Sequence, residues 1–258
     1  MKNKILISLT TTLFLFAWTG LAEASFAITH SGATNPTIEG FGLASSGSLT
    51  IEPIANDMGL EAWSVAAGQT SQVYYLSGAL PPEQVADIAS QGFDLTLTAR
   101  IFQSSAPTYD AATPYVFAFA DYQSSSRRFD IMLGVNNQGE TVVVLPDYFV
   151  VNGVTTQAFG SNFTVTDSAK YHTYQLAYDP ETQLADLFVD NSKVIQNYAG
   201  NSMHLNNWGL GWGVTNGGQG NFNVVQLTSS PVPVPGAVWF FGSGIAWIAG
   251  MGFGKKRQ

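Results

Sequence analysis

Phe93-Asp94-Leu95-Thr96-Leu97-Thr98-Ala99-Arg100-Ile101 alternates apolar and polar residues without a break. Successive side chains of an extended chain point to opposite faces, so this stretch reads as a strand with one face in a core. Just upstream, Pro81-Pro82-Glu83 opens a segment in which Val85, Ile88 and Ala89 share a helical face, and Gly92 closes it. Proline at the start and glycine at the end predict one short helix running into the strand.

Downstream the strand signals repeat. Tyr115 to Tyr122, Phe129 to Val135 and Thr141 to Leu145 are rich in aromatic and β-branched residues. Asn136-Asn137-Gln138-Gly139 reads as a hairpin turn. Asn152-Gly153, between Val150-Val151 and Val154-Thr155, is a stronger one, because both residues accept the positive φ of a type I′ turn. Tyr171 to Tyr178 and Leu184 to Val189 follow, separated by the turn Asp179-Pro180-Glu181-Thr182, and Asp190-Asn191-Ser192 ends the pair. Trp208 to Val214 and Asn221 to Leu227 read as closing strands on either side of Asn216-Gly217-Gly218-Gln219-Gly220. Many short strands with regular turns and one helix predict an all-β sandwich or barrel.

The run Tyr171-His172-Thr173-Tyr174-Gln175-Leu176, continuing through Asp179-Pro180 to Leu187-Phe188-Val189-Asp190, resembles the hairpin of concanavalin A-like jelly rolls, the laminin-G-like and pentraxin-like group. The helix before Gly92-Phe93 and the strand Arg127-Arg128-Phe129-Asp130-Ile131-Met132-Leu133-Gly134 resemble the same module as it occurs beside bacterial sialidases. The resemblance implies a two-sheet antiparallel jelly-roll sandwich over most of residues 49–227.

Both ends of the chain differ from this middle. Lys2 and Lys4 precede an apolar run from Ile5 to Trp18, and Ala22-Glu23-Ala24 has the small-x-small form of a signal-peptidase site. Residues 1–24 therefore read as a secretory signal, cleaved after Ala24, rather than as a short membrane anchor. At the other end Ser229 to Pro235 carries three prolines, which stiffen it into an extended linker. No residue from Gly236 to Gly254 is charged, and Lys255-Lys256-Arg257 follows. At about 1.5 Å per residue that segment reaches roughly 27 Å, enough for a C-terminal transmembrane helix over 236–254. The basic cluster orients it with the middle of the chain outside the cytoplasm.

Pro233-Val234-Pro235-Gly236-Ala237-Val238-Trp239-Phe240-Phe241-Gly242-Ser243-Gly244, with the apolar segment and the closing cations, resembles a PEP-CTERM sorting signal. Val234 stands where that family usually has glutamate. The resemblance implies recognition by an intramembrane exosortase through Pro233, Pro235, Gly236 and the Lys255-Lys256-Arg257 cluster. It also implies a Gram-negative host that makes extracellular polysaccharide. The protein would then meet signal peptidase, exosortase and, transiently, the inner membrane before reaching the outer surface or a biofilm matrix. The expected organisation is a signal peptide at 1–24, a sandwich domain at 25–228, a linker at 229–235 and a sorting tail at 233–258.

Composition narrows the chemistry. Between the two targeting ends lie five cations against seventeen Asp and Glu, a net charge of −12. Such a surface repels nucleic acid and anionic lipid. The chain has no cysteine, which excludes disulfides, thiol catalysis, zinc–thiolate sites and iron–sulfur clusters. A domain of this length buries enough apolar surface without cross-links.

No enzyme motif emerges. Glucanases on a jelly roll carry Glu-x-Asp-x-x-Glu on one strand, and no such string occurs. The Ser-x-Asp-x-Gly-x-x-Trp box of sialidase propellers is missing as well. The histidines, His30, His172 and His204, form no His-x-His or His-Glu-x-x-His pair. Alternation puts His172 on one face with Tyr174, Leu176 and Tyr178, which predicts a structural role.

A non-enzymatic, glycan-binding role in the exopolysaccharide matrix is the expectation. Tyr115, Asp121, Arg128, Trp208 and Trp212 are the candidate sugar contacts, each weighed against a place in the core or, for Arg128, a structural ion pair. The laminin-G resemblance implies Ca2+ at a loop rim, for which Asp110, Asp121 and Asp147 are candidates without a ligand spacing to identify them. The rival expectations are a structural or adhesive surface protein without sugar specificity and, third, a glycan hydrolase with an unfamiliar carboxylate pair.

Overall fold

A computed structural model of the chain describes residues 26–102, 116–122, 127–151, 154–167, 169–201 and 208–229. Alternation builds β6 (Phe93–Ile101): Phe93, Leu95, Leu97, Ala99 and Ile101 are buried, and the residues between them are half-buried. On one side β6 pairs with β11 (His172–Asp179), which continues through β12 (Leu184–Val189) to β13 (Ser192–Tyr198). On the other side it pairs with the last strand, β15 (Gln219–Ser229). The first part of β15 then pairs with β4 (Leu60–Ala67), and β4 with β3 (Leu49–Asp57). β1 (Ala27–Ser31) follows β4 along the same edge of β15. These eight antiparallel strands make the first sheet.

The second sheet runs β10 (Val154–Val165), β9 (Thr141–Val151), β8 (Arg128–Val135), β7 (Val116–Asp121), β14 (Gly209–Thr215), β5 (Gln72–Leu76) and β2 (Gly42–Ser46), again antiparallel. The two sheets enclose one core. Leu95, Leu97, Leu176 and Val225 enter it from the first sheet, and Ile131, Leu133, Trp212 and Val214 from the second. A buried side chain of this size contributes about 1.5–3 kcal/mol. The predicted two-sheet antiparallel sandwich of jelly-roll type is what the chain forms. The predicted helix is α1 (Pro82–Gln91), whose Ile88 is fully buried in that core.

Turn chemistry fixes the registers. Asp190 and Asn191 take φ of +48° and +66°, closing a two-residue hairpin between the paired Val189 and Ser192. In the 136–140 turn, the Asn136 side-chain oxygen accepts from the amides of Gln138 and Glu140. Gly92 ends α1 at φ +81°, and a Cβ there would lie 2.2 Å from the carbonyl oxygen of Tyr178. Only glycine allows the helix to stop so close to β11.

Sequence reading left β1 to β5 unassigned. Every residue of β2 is exposed, and so are most of β3. Neither strand carries the one-sided burial that produces alternation. The tip of the β3–β4 hairpin is held by side chains instead. Asp57 accepts hydrogen bonds from Arg100 Nη1 (2.7 Å), Tyr171 Oη (2.9 Å) and Asn221 Nδ2 (2.6 Å), tying β3 to three other parts of the chain.

Among the described residues no helix is long and apolar enough to cross a membrane. The expected signal peptide, linker, sorting tail and transmembrane helix over 236–254 lie outside the described residues.

Candidate functional site

Strand alternation gives the second sheet two different faces. On β7, Val116, Ala118 and Ala120 enter the main core, while Phe117 and Phe119 turn to the outer side. On β8, Phe129, Ile131 and Leu133 enter the core and Met132 faces out. Phe117, Phe119, Met132, Val142 and Val144 form a second apolar cluster on the outer face, with Tyr74, Leu76 and Trp208 half-buried against it. Its rings are neighbours: Tyr74 lies 5.1 Å from Phe117 with the planes tilted by 43°, and Phe117 and Phe119 lie 6.2 Å apart with planes within 15°. Gly211 of β14 leaves the space that the Phe119 ring fills, since a Cβ there would come within 2.1 Å of a ring carbon.

A polar network joins this cluster. Arg128 and Asp130, two apart on β8, share the outer face. Arg128 Nε donates to both oxygens of Asp130 (2.8 and 3.0 Å), and Nη2 also reaches the carboxylate. Asn201 Nδ2 donates to the other Asp130 oxygen. The backbones of Arg128 and Asn201 exchange both hydrogen bonds, at 2.9 and 2.8 Å. The Arg128 guanidinium lies over the Phe119 ring at 4.3 Å, a cation–π contact. Burial raises the pKa of the Tyr74 hydroxyl, and the positive charge of Arg128 partly offsets that rise.

The structure divides the predicted sugar contacts. Asp121 pairs in register with Arg128, so both occupy the outer face, and Trp208 packs at its rim. Trp212 does not belong there and is corrected to the main core. It is fully buried, stacked on His30 at 4.5 Å and on Tyr75 at 4.6 Å, and tilted against Phe222 at 4.7 Å. On β14 its neighbours Gly211 and Gly213 hold the outer-facing positions, and alternation sends the indole inward. Tyr115 lies outside the described residues. Arg128 proves to be a buried ion pair, 4% exposed beside an Asp130 at 0%, so the structural alternative describes its contacts.

Asp121 and Asp130 are the carboxylates that adjacent strands bring to this face. Both are buried, and Asp130 is bound by Arg128 and Asn201, so they do not form the open pair that glycoside hydrolysis needs. Of the calcium candidates, Asp121 is buried, Asp147 is exposed on β9, and Asp110 lies outside the described residues. Among the described residues no three His, Asp or Glu side chains are placed to hold a metal.

Two histidines have clear structural partners. His172 Nδ1 bonds Asp190 (2.7 Å) and Nε2 bonds the Asp167 carbonyl (3.1 Å), locking the β11–β12 hairpin. His30, unassigned by sequence reading, is fully buried with Nδ1 2.6 Å from Glu39, whose other oxygen accepts from the Ser31 amide. Nothing local in the sequence links His30 to Trp212, because β1 and β14 lie in different sheets.

No family model and no curated protein matches the chain. Solved structures do resemble it. A protein of unknown function from Shewanella oneidensis MR-1 aligns over 86% of this chain and 94% of its own, at 10% identity and a TM-score of 0.52. A family 16 glycoside hydrolase from Bacteroides ovatus, solved with a mixed-linkage glucan product, aligns over 69% and 84% at 9% identity and a TM-score of 0.42. The binding domain of a botulinum neurotoxin, solved with rat synaptotagmin II, aligns over 75% and 44% at 8% identity and a TM-score of 0.44. The first likeness is one of fold alone. The other two are weaker still and leave function to be argued from the site.

Proposed function

We propose that the chain is an exported, non-enzymatic, glycan-binding protein of the cell surface or exopolysaccharide matrix, released or attached after processing of a PEP-CTERM-like tail. The observation that carries this reading is the run of neighbouring rings Tyr74, Phe117 and Phe119 on the outer face of the second sheet, with half-buried Trp208 and Leu76 beside it. Apolar sugar faces pack on such rings, and the negative charge of the domain suits a neutral polysaccharide better than an acidic one. Tyr74 and Trp208 are the contacts that a saccharide reaches first, since Phe119, Arg128 and Asp130 lie beneath the surface.

That same burial supports a second reading, a structural or adhesive surface protein without sugar specificity. Glycan-array binding by residues 25–230, with Ca2+ and again with chelator, separates the two. Specific signal that is lost in Tyr74→Ala and Trp208→Ala is the expected result, and loss with chelator would add a metal. A blank array that includes polysaccharide from the source organism would leave the structural reading.

A further inference from the structure

A cleft of about 290 Å³ opens between the turn at 36–40 and the start of α1. Ile28, Phe41 and Leu80 give it an apolar floor, and Glu39, Ser77 and Gln84 supply its polar side chains. It is small for a ligand site, which sets the occupant at about the size of one sugar ring.

The cleft offers one carboxylate, Glu39, and one side-chain amide, Gln84, which carries both an acceptor oxygen and a donor NH2. Gln84 Oε1 is buried and has no hydrogen-bond partner. An amide oxygen in that state costs about 1–3 kcal/mol unless a donor reaches it. Glu39 is held in place by His30 Nδ1 and the Ser31 amide, one on each oxygen, and each oxygen retains a free lone pair. The Ser77 hydroxyl is already engaged, donating to the Gly78 carbonyl and accepting from the Leu210 amide. Among the described residues no Lys, Arg or His lines the cleft.

The N-terminal end of α1 does not reverse this preference. Pro81 and Pro82 carry no N–H, and Glu83 places a carboxylate in the first turn, so the usual anion-binding amides are depleted there. We propose that this cleft binds a compact molecule bearing a protonated amine, with an amino sugar as the fitting class: the ammonium sits between Glu39 and Gln84, and the ring lies on Phe41 and Leu80. The site shares no residue with the outer face of the second sheet, so the two stand or fall separately.

Isothermal titration of the exported protein, purified with the termini the cell leaves on it, tests the assignment with glucosamine, glucose and glucuronate as probes. Saturable binding of glucosamine is expected, with glucose and glucuronate about tenfold or more weaker. Gln84→Met removes the orphan acceptor and should weaken glucosamine by a similar factor. Ala79→Phe, at an exposed position on the rim, should block it without disturbing the core. Trp208→Ala should leave it unchanged. Absence of saturable glucosamine binding overturns the proposal, as does equal binding of glucuronate, or affinity that survives both Gln84→Met and Ala79→Phe.

Discussion

The imidazole of His30 lies against the indole of Trp212, with centroids 4.5 Å apart and planes within 20°. This contact joins the first sheet to the second and places a titratable ring in the core. Burial lowers the His30 pKa below 6.5, and the hydrogen bond and charge of Glu39 only partly oppose that. The unfolded chain therefore takes up a proton at His30 before the folded protein does.

Stability should accordingly be full above about pH 6.5 and decline as the pH falls from there toward the lower folded-state value. Urea midpoints measured between about pH 8 and 5 check this. His30→Gln should lower the midpoint at every pH and flatten its slope in this range. An unchanged slope would remove His30 as the source.

A second acid response belongs to Asp57. Burial pushes its pKa up, but hydrogen bonds from Asn221, Tyr171 and Arg100, with the charge of Arg100, outweigh it and leave the carboxyl below 3.8. Its contribution is present above about pH 3.8 and disappears as the pH falls through the lower folded value. Asp57→Ala at neutral pH should cost about 1.5–3 kcal/mol in chemical denaturation. Protection from amide exchange should fall first at the β3–β4 hairpin, which Asp57 holds down.

Asp130→Ala removes the carboxylate that Arg128 and Asn201 bond, and a loss of up to about 3–5 kcal/mol is expected. Replacing both residues with apolar ones of similar volume should cost much less. A double-mutant cycle in urea reads the difference. If the two single changes simply add, the pair is not coupled as the geometry indicates.

Gly211→Ala puts a methyl group into the space taken by the Phe119 ring. Destabilisation of about 1–3 kcal/mol is expected, measured as a fall in the urea midpoint. Phe119→Leu in the same chain should recover part of it, since the smaller side chain gives back the room.

How much of this could be read from sequence followed the burial pattern. β6, β8 and β11 each present one face to the core, so Leu95, Ile131 and Leu176 appear at alternate positions and reveal the strands. β2 and β3 lack that contrast, and their pairing depends on β5 and β4 rather than on local signals. The same limit applied to the site. Two-residue alternation separates the sides of a strand but does not say which sheet lies opposite. Trp212 could thus stand as a sugar contact or as a core residue in the sequence, although the glycines on either side of it mark the outer face. The role of His30 could not be read because its partners, Glu39 and Trp212, come from a turn and from a strand 182 positions away.

The ends of the described fold meet. Phe26 and Ser229 exchange hydrogen bonds, the amide of Ser229 reaching the Phe26 carbonyl at 3.3 Å, while Ser229 also sits in register with Phe93 of β6. A force applied to either end of the described residues would enter at this point. Load carried along β15 is then spread over its ladder with β6 on one flank and over β1 and β4 on the other. Failure requires those rows of hydrogen bonds to shear together instead of opening one at a time from a free end. Load applied at Ser229 would therefore meet two flanking ladders in shear, which resist more than a ladder that unzips.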